Sequence, residues 1–264
     1  MKSIVPAENE RFVPNPALGQ NFLTDADVIR AIVDAAEIDG KTVLEIGPGT
    51  GALTDGLLAR AARVIAVEKD GRLVRMLCER FGEKLALVHA DVLDADVASL
   101  MRGGPWHAVG NLPYYATTPI VLKLLSLLPA SMTLMVQQEA AERFRAGPGD
   151  RVYGPVAVLT QCFYEACTAL RVPRSCFSPQ PDVDSVVIRL TRNAVPGGNP
   201  AAFMAFLKQA FSMRRKTLWN SLLRDPRLPD ALQKAGLRRN VRAEEIPPET
   251  LLRLHQILTN TEDI

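Results

Sequence analysis

Four consecutive residues near the middle of the chain, Asn111-Leu112-Pro113-Tyr114, combine an amide, a proline-stiffened turn and an aromatic ring. The chemistry this group suits is activation of an exocyclic amine on a nucleobase. The lone pair of such an amine is delocalised into the ring. Its nitrogen is therefore a poor nucleophile until its hydrogens are held and it becomes more tetrahedral. Two acceptors are needed. The side-chain oxygen of Asn111 and the backbone carbonyl of Leu112 can supply them, with Pro113 stiffening the turn so that both point one way. Tyr114 can stack on the base, a contact worth about 1–3 kcal/mol, and its π face can stabilise positive charge growing on the amine. With a sulfonium as methyl donor, attack discharges a cation, so no strong general base is demanded before transfer. The plainer reading of the four residues is a strand-terminating turn, since Asn and Pro are both common there.

A second group lies upstream. Glu45-Ile46-Gly47-Pro48-Gly49-Thr50-Gly51 follows an apolar run and precedes a helical pattern. Its glycines permit a tight turn and let a ligand rest against bare backbone amides. The dinucleotide fingerprint also fits, with Ala52 in the last place, so this loop alone leaves NAD and another adenosine cofactor both open. Glu68, at the end of the next apolar run, can accept hydrogen bonds from both ribose hydroxyls of an adenosine, or it is simply a solvated charge at a strand end. Asp91 after the third run can accept from an exocyclic adenine amine.

These residues need a scaffold, and the pattern of the chain describes one. Apolar runs at 43–46, 64–67, 85–88, 107–109 and 132–136 alternate with helical segments at about 52–61, 71–81, 95–101 and 119–128. An earlier helix over 24–37 has Thr24 or Asp25 as its cap. Such alternation predicts an α/β fold with a parallel sheet covered on both faces, and ligands at the carboxyl ends of its strands. After residue 150 a helix at 156–164 and an antiparallel pair at 168–172 and 185–190 are expected, separated by a proline-rich turn at 173–181. Residues 193–200, rich in Gly and Pro, read as a linker. Two units follow: a catalytic domain over 1–192 and an all-α unit over 200–264, with helices at 203–211, 218–223, 228–235 and 251–258.

Composition bounds the function. The 264 residues are 47% hydrophobic, with 31 basic against 29 acidic side chains. That balance excludes a disordered chain and a uniformly basic nucleic-acid coat, so any polyanion surface is local. Cys78, Cys162, Cys167 and Cys176 form no CxxC pair, and His89, His107 and His255 show no HExxH spacing, so no metal site is expected. No signal peptide or membrane span is legible, which points to a cytoplasmic protein. From Pro200 to Arg242 ten basic residues face two acidic ones, a local charge of +8 in a chain of +2 overall. Within it, Arg214-Arg215-Lys216 is the expected RNA phosphate contact.

The sequence resembles the ribosomal RNA adenine dimethyltransferase family, in particular its bacterial small-subunit branch. The resemblance rests on LGQNFL at 18–23, EIGPGTGALT at 45–54, Glu68, Asp91, GNLPYY at 110–115, QQEAAERF at 137–144, FSPQPDVDS at 177–185 and AFSMRRKTL at 210–218. It implies a class I (Rossmann-like) methyltransferase fold with a seven-stranded sheet and a small helical C-terminal domain. S-adenosylmethionine would be the consumed donor, without a metal. The implied substrate is two adjacent adenosines in a hairpin near the 3′ end of 16S rRNA, each methylated twice at N6, by a monomer. It further implies that Gln20, Asn21 and Leu23 touch the methionine and ribose part of the donor, Gly47 its loop, Glu68 its ribose, Asp91 its adenine and Asn111 its reacting end. Phe177, which could equally be core, would close the target base against Tyr114. Two departures are Tyr115, where many relatives carry Asn or Asp, and Pro16 or Ala17, where many carry a basic residue. Other readings are methylation of large-subunit RNA, a non-catalytic RNA-binding assembly factor or transcription factor on the same fold, and an NAD-dependent dehydrogenase, which only the glycine loop supports.

Overall fold

The central strands are apolar on both faces because both faces are covered. Val43, Leu44, Val64, Ile65, Ala108, Val109, Met132 and Leu134 are each 2% exposed or less, as expected of parallel strands roofed by crossover helices. The computed structural model describes residues 13–15, 18–193 and 199–259; Pro16, Ala17 and most of the expected linker lie outside the described residues. Strands run β1 Phe22–Leu23, β2 Thr42–Ile46, β3 Arg63–Glu68, β4 Ala86–His89, β5 Trp106–Asn111, β6 Ser131–Gln137, β7 Tyr164–Val172, β8 Phe177–Ser178 and β9 Ser185–Arg192. Helices run α1 Ala26–Ala36, α2 Thr54–Arg60, α3 Gly71–Phe81, α4 Val97–Leu100, α5 Thr117–Leu127, α6 Gln138–Glu142, α7 Pro155–Phe163, α8 Pro200–Ala210, α9 Leu218–Ser221, α10 Leu228–Lys234 and α11 Pro248–Thr259.

Seven strands form one sheet in the order β4-β3-β2-β5-β6-β9-β7. The β4, β3, β2, β5 and β6 strands are parallel, while β9 runs antiparallel to both β6 and β7. Chain order reverses between β2 and β5, which opens a crevice beyond their carboxyl ends. The glycine loop leaves β2 there, and Asn111 ends β5. The helix α1 starts at Asp25 rather than Thr24: the Asp25 carboxylate accepts from the backbone N–H of Asp27 and Val28 at 3.0 Å each, while the Thr24 hydroxyl donates to the Cys176 carbonyl at 3.0 Å.

Two features were not expected. The β7 strand begins four residues earlier than its apolar pattern, because it is an edge strand with a bulge between Thr168 and Leu170 that breaks the alternation. The proline-rich turn contains β8, which pairs with β1 as Phe22↔Ser178 and Leu23↔Phe177. No local pattern announces a two-residue ladder closed across that much chain.

The helical C-terminal unit shares its core with the sheet domain. Phe203 on α8 meets Phe163 on α7 edge to face with ring centroids 6.2 Å apart, and the buried Tyr153 hydroxyl donates to the Ile246 carbonyl at 2.7 Å. His255 packs against both Phe203 and Phe206, with centroids 5.3 and 5.2 Å away; burial lowers its pKa and favours the neutral ring.

After α9, Leu223 and Arg224 both adopt left-handed backbone, φ 54° and 59°, and Leu223 is 78% exposed. A side chain in that conformation costs free energy and here gains no burial. Leu223→Gly is therefore expected to stabilise the fold by about 0.5–1 kcal/mol, visible as a melting temperature raised by about 1–3 °C. A fall would show that the leucine makes stabilising contacts.

Candidate active site

A cavity occupies the crevice, lined by the glycine loop, the ends of β3, β4 and β5, and the segment from Leu18 to Leu23. Gly47 and Gly49 take φ of 62° and 60°, the left-handed region that keeps the turn tight. At Gly47 no atom lies within 4 Å of where a Cβ would stand, so the loop leaves open space beside its backbone.

Glu68 is 6% exposed. Its carboxylate accepts from the Asp70 N–H at 2.8 Å and the Gly49 N–H at 3.2 Å, tying the end of β3 to the glycine loop. Burial raises its pKa against these bonds. A carboxylate has about four acceptor positions, so room for ribose hydroxyls remains. Asp91 accepts from the Leu93 N–H at 2.9 Å and from the Lys69 ammonium at 2.8 Å. Burial opposes its ionisation, but Lys69 and the Leu93 amide hold its pKa below the usual value.

Asn111 lines the cavity, and its Nδ2 donates to the Asn21 carbonyl at 3.1 Å. A carbonyl can only accept, so the amide is oriented by chemistry, and Oδ1 accepts no hydrogen bond from a described residue. The Leu112 N–H donates to the Met135 carbonyl at 3.1 Å, and the Leu112 carbonyl likewise receives nothing from the described residues. The turn is held by the Thr117 hydroxyl and the Ala116 N–H, both donating to the Pro113 carbonyl at 3.1 and 3.0 Å. The Tyr114 hydroxyl lies 3.0 Å from that of Ser185 on β9, which holds the ring at the cavity edge; burial raises the phenol pKa. Tyr115 is 59% exposed and lines the same cavity.

The N-terminal segment is held from below. Gln20 donates to Asp70 at 2.9 Å and accepts from the Asn15 N–H at 2.7 Å, so its side chain is occupied in shaping the cavity wall. Asp70 also caps α3 and binds Arg72 at 2.7 Å, and that guanidinium holds the Asp70 pKa far below normal. Asn21 and Leu23 both line the cavity, and Leu23 is otherwise buried in β1.

The structure thus gathers Gln20, Asn21, Leu23, Gly47, Glu68, Asp91, Asn111, Leu112 and Tyr114 around one cavity. Phe177 is not among them. It is 5% exposed and packs with Leu23, Val172 and Cys176, because pairing of β8 with β1 turns its ring into the core. Sequence reasoning passed over Lys69, Asp70 and Ser185, whose roles arise from tertiary pairing. It also gave no role to Glu45, although a lone acid inside the run Val43-Leu44-Glu45-Ile46 signals a buried charge. Glu45 is 1% exposed; its Oε2 accepts from the Thr54 hydroxyl at 2.8 Å, while Oε1 is buried in the cavity wall without a partner among the described residues. An orphaned acid beside open backbone and a ribose-suited carboxylate fits a cationic adenosine ligand. Among the described residues no three His, Cys, Asp or Glu side chains gather as metal ligands.

The basic cluster is less uniform than its charge count. Arg214 donates to Glu244 at 2.7 Å and to the Asp150 carbonyl at 2.8 Å, fastening the helical unit to the sheet domain. Arg238 pairs with Glu245 at 2.8 Å and Arg227 with Asp225 at 2.7 Å. Glu244 and Glu245 lie just beyond the counted window, so the local charge falls from +8 to +6. Arg215 and Lys216 are exposed and form no ion pair among the described residues. No described helix is long and apolar enough to cross a membrane.

Comparison with known proteins agrees with this geometry. The chain is 40% identical over 269 residues to ribosomal RNA small subunit methyltransferase A of Enterococcus faecalis, covering 94% of this chain and 91% of that one. It is 43% identical over 231 residues to the protein of that name from Geobacillus thermodenitrificans, covering 83% and 78%. Among solved structures it is similar to a dimethyladenosine transferase from Plasmodium falciparum, with TM-score 0.71, 27% identity and coverage of 88% and 95%. It is also similar to the 23S rRNA methyltransferase ErmE, with TM-score 0.63, 32% identity and coverage of 90% and 99%. The fold is therefore that of a class I S-adenosylmethionine-dependent methyltransferase. The family model for ribosomal RNA adenine dimethylase matches residues 11–260, and with the cavity, the glycine loop and the Asn111 turn in one place, the chain belongs to that family.

Proposed function

We propose that this protein transfers methyl groups from S-adenosylmethionine to N6 of two adjacent adenosines in a hairpin near the 3′ end of 16S rRNA, twice on each. It would act as a cytoplasmic monomer during small-subunit assembly and use no metal. The observation that carries this reading is the pair of acceptors at the end of β5, Asn111 Oδ1 and the Leu112 carbonyl, which no described residue engages, beside the Tyr114 ring and the cavity. The bound donor supplies an electrophilic methyl on a sulfonium. Glu68 would hold the ribose hydroxyls, Asp91 would accept from the adenine amine, and Gln20, Asn21 and Leu23 would line the methionine and ribose part of the donor. Asn111 Oδ1 and the Leu112 carbonyl would accept hydrogen bonds from the N6 amine of a flipped-out adenine, and Tyr114 would stack on its ring. The unit over 200–264 presents Arg215 and Lys216 to RNA phosphates.

The test is to incubate the protein with methyl-labelled donor and small subunits lacking the modification, then map the label. Two adjacent dimethyladenosines in the 3′ hairpin are expected. Label in large-subunit RNA instead would transfer the reading to that substrate, and no label in any RNA would end it.

Arg215 and Lys216 carry a separate expectation. Each phosphate contact contributes about 0.7–0.9 to the slope of log affinity against log salt. The double variant Arg215→Ala/Lys216→Ala should flatten that slope by about 1.4–1.8 and raise KM for RNA with kcat unchanged. Arg214→Ala should mainly lower the melting temperature, since its partners are within the protein. An unchanged slope in the double variant would put the RNA on another face.

A further inference from the structure

Besides the two acceptors at the end of β5, one further polar group in the cavity wall has no partner among the described residues, and it is a carboxylate oxygen. Glu45 sits in the fourth position of β2, two residues before Gly47 of the glycine loop, and is 1% exposed. Thr54 at the start of α2 donates to its Oε2 at 2.8 Å, and its Oε1 has no partner among the described residues. The charged groups that act on it are both acids, Glu68 at the end of β3 and Asp55 on α2. It makes no ion pair with a described residue. A buried carboxylate so placed lacks both solvation and a counter-ion, and a lone one is normally neutral or waiting for a cation.

We propose that Glu45 is the counter-charge to the cationic methyl donor: protonated while the cavity lacks that cation, it ionises as the donor enters, gives its proton to solvent, and recovers one when the ligand becomes a neutral thioether. This rests on the S-adenosylmethionine reading above. The positions argue for it independently of any titration. Glu45 is among the residues of the cavity wall, its unpartnered oxygen is buried within that wall, and β2 places it on the same face of the sheet as Asn111, since Glu45 pairs with Val109 two residues before Asn111. Burial pushes its pKa up to about 8, with Glu68 and Asp55 adding to the rise. A group in that range changes charge near neutral pH at little cost, so it can answer a ligand whose charge changes during turnover. Donor and product differ by one unit of charge at sulfur, and Glu45 would let the cavity discriminate between them and release the product.

The experiment is calorimetric titration of the whole protein with S-adenosylmethionine, and separately with S-adenosylhomocysteine, in two buffers of different ionisation enthalpy at pH 7 and pH 9. At pH 7 a group with a pKa near 8 is about nine-tenths protonated, so donor binding should release between about 0.5 and 0.9 proton, falling to about 0.1 at pH 9. The product should release less than about 0.2 at either pH. Donor affinity should rise by up to about tenfold per pH unit below pH 8 and then level off. Glu45→Gln, a neutral isostere, should abolish the release and the pH dependence. The inference is overturned if the unaltered protein releases no proton on binding donor, if product releases as many as donor, or if Glu45→Gln releases as many as the parent. The first two outcomes need no variant to fold. If neither ligand binds at all, the functional reading itself fails, which is a distinct result.

Discussion

Asn111→Ala should lower methyl transfer by about 10²–10³-fold while the dissociation constant for S-adenosylmethionine changes by no more than a few-fold. Its oxygen matters most as the target amine becomes tetrahedral, when the N–H bonds grow more polar and the acceptor is already oriented. The structure adds a second role, because Asn111 also donates to the Asn21 carbonyl at 3.1 Å and so ties the N-terminal segment to β5. Alanine removes both. Asn111→Asp separates them: it keeps an acceptor at the same place but sets it against the Asn21 carbonyl. Catalysis that partly survives in the aspartate variant but not in alanine, with donor binding weakened in the former, would assign the rate to the acceptor. Wild-type activity in Asn111→Ala would remove the assigned role altogether, and a loss of donor binding as large as the loss in rate would reduce Asn111 to a tether.

Phe177→Ala should destabilise the fold by about 3–5 kcal/mol, the usual cost of deleting a fully packed aromatic ring. The ring is 5% exposed among Leu23, Val172 and Cys176, and its backbone pairs with Leu23 beside the cavity. Phe177→Leu should retain much of that stability and near-normal kcat, because an apolar side chain of similar size still fills the site. Denaturant titration and kinetics of the two variants decide the matter. Full stability in Phe177→Ala together with lost activity in Phe177→Leu would mean that the ring leaves the core to close on a base.

The expectations about elements hold where a segment's environment is uniform along its length. The parallel strands are apolar throughout, and α3 is expected and found at residues 71–81, with Asp70 as its cap and Gly82 at its end. They weaken at β7, where one edge is open and a bulge disrupts the alternation, and they miss β1 and β8 because a two-residue ladder stores no periodicity. The charge count over residues 200–242 likewise exaggerated the free positive surface, since Glu244 and Glu245 stand outside it and neutralise Arg214 and Arg238.

Composition, period and the Gly47–Gly51 and Asn111–Tyr114 motifs determine by themselves that this is an α/β protein with a glycine loop after its first long strand and a proline-stiffened turn carrying an amide and an aromatic ring. These follow from local physics: side-chain period, turn chemistry and the donors and acceptors each residue carries. Only the tertiary structure decides that Glu68 bridges to Gly49, that Lys69 occupies Asp91, that Phe177 is core, and that Glu45 keeps an unpartnered oxygen in the cavity wall. Each of those depends on which groups meet across dozens of residues, and thereby on which charges are left without water or a partner. A linear pattern specifies what a residue can do, whereas its neighbours in space specify what it has left to offer.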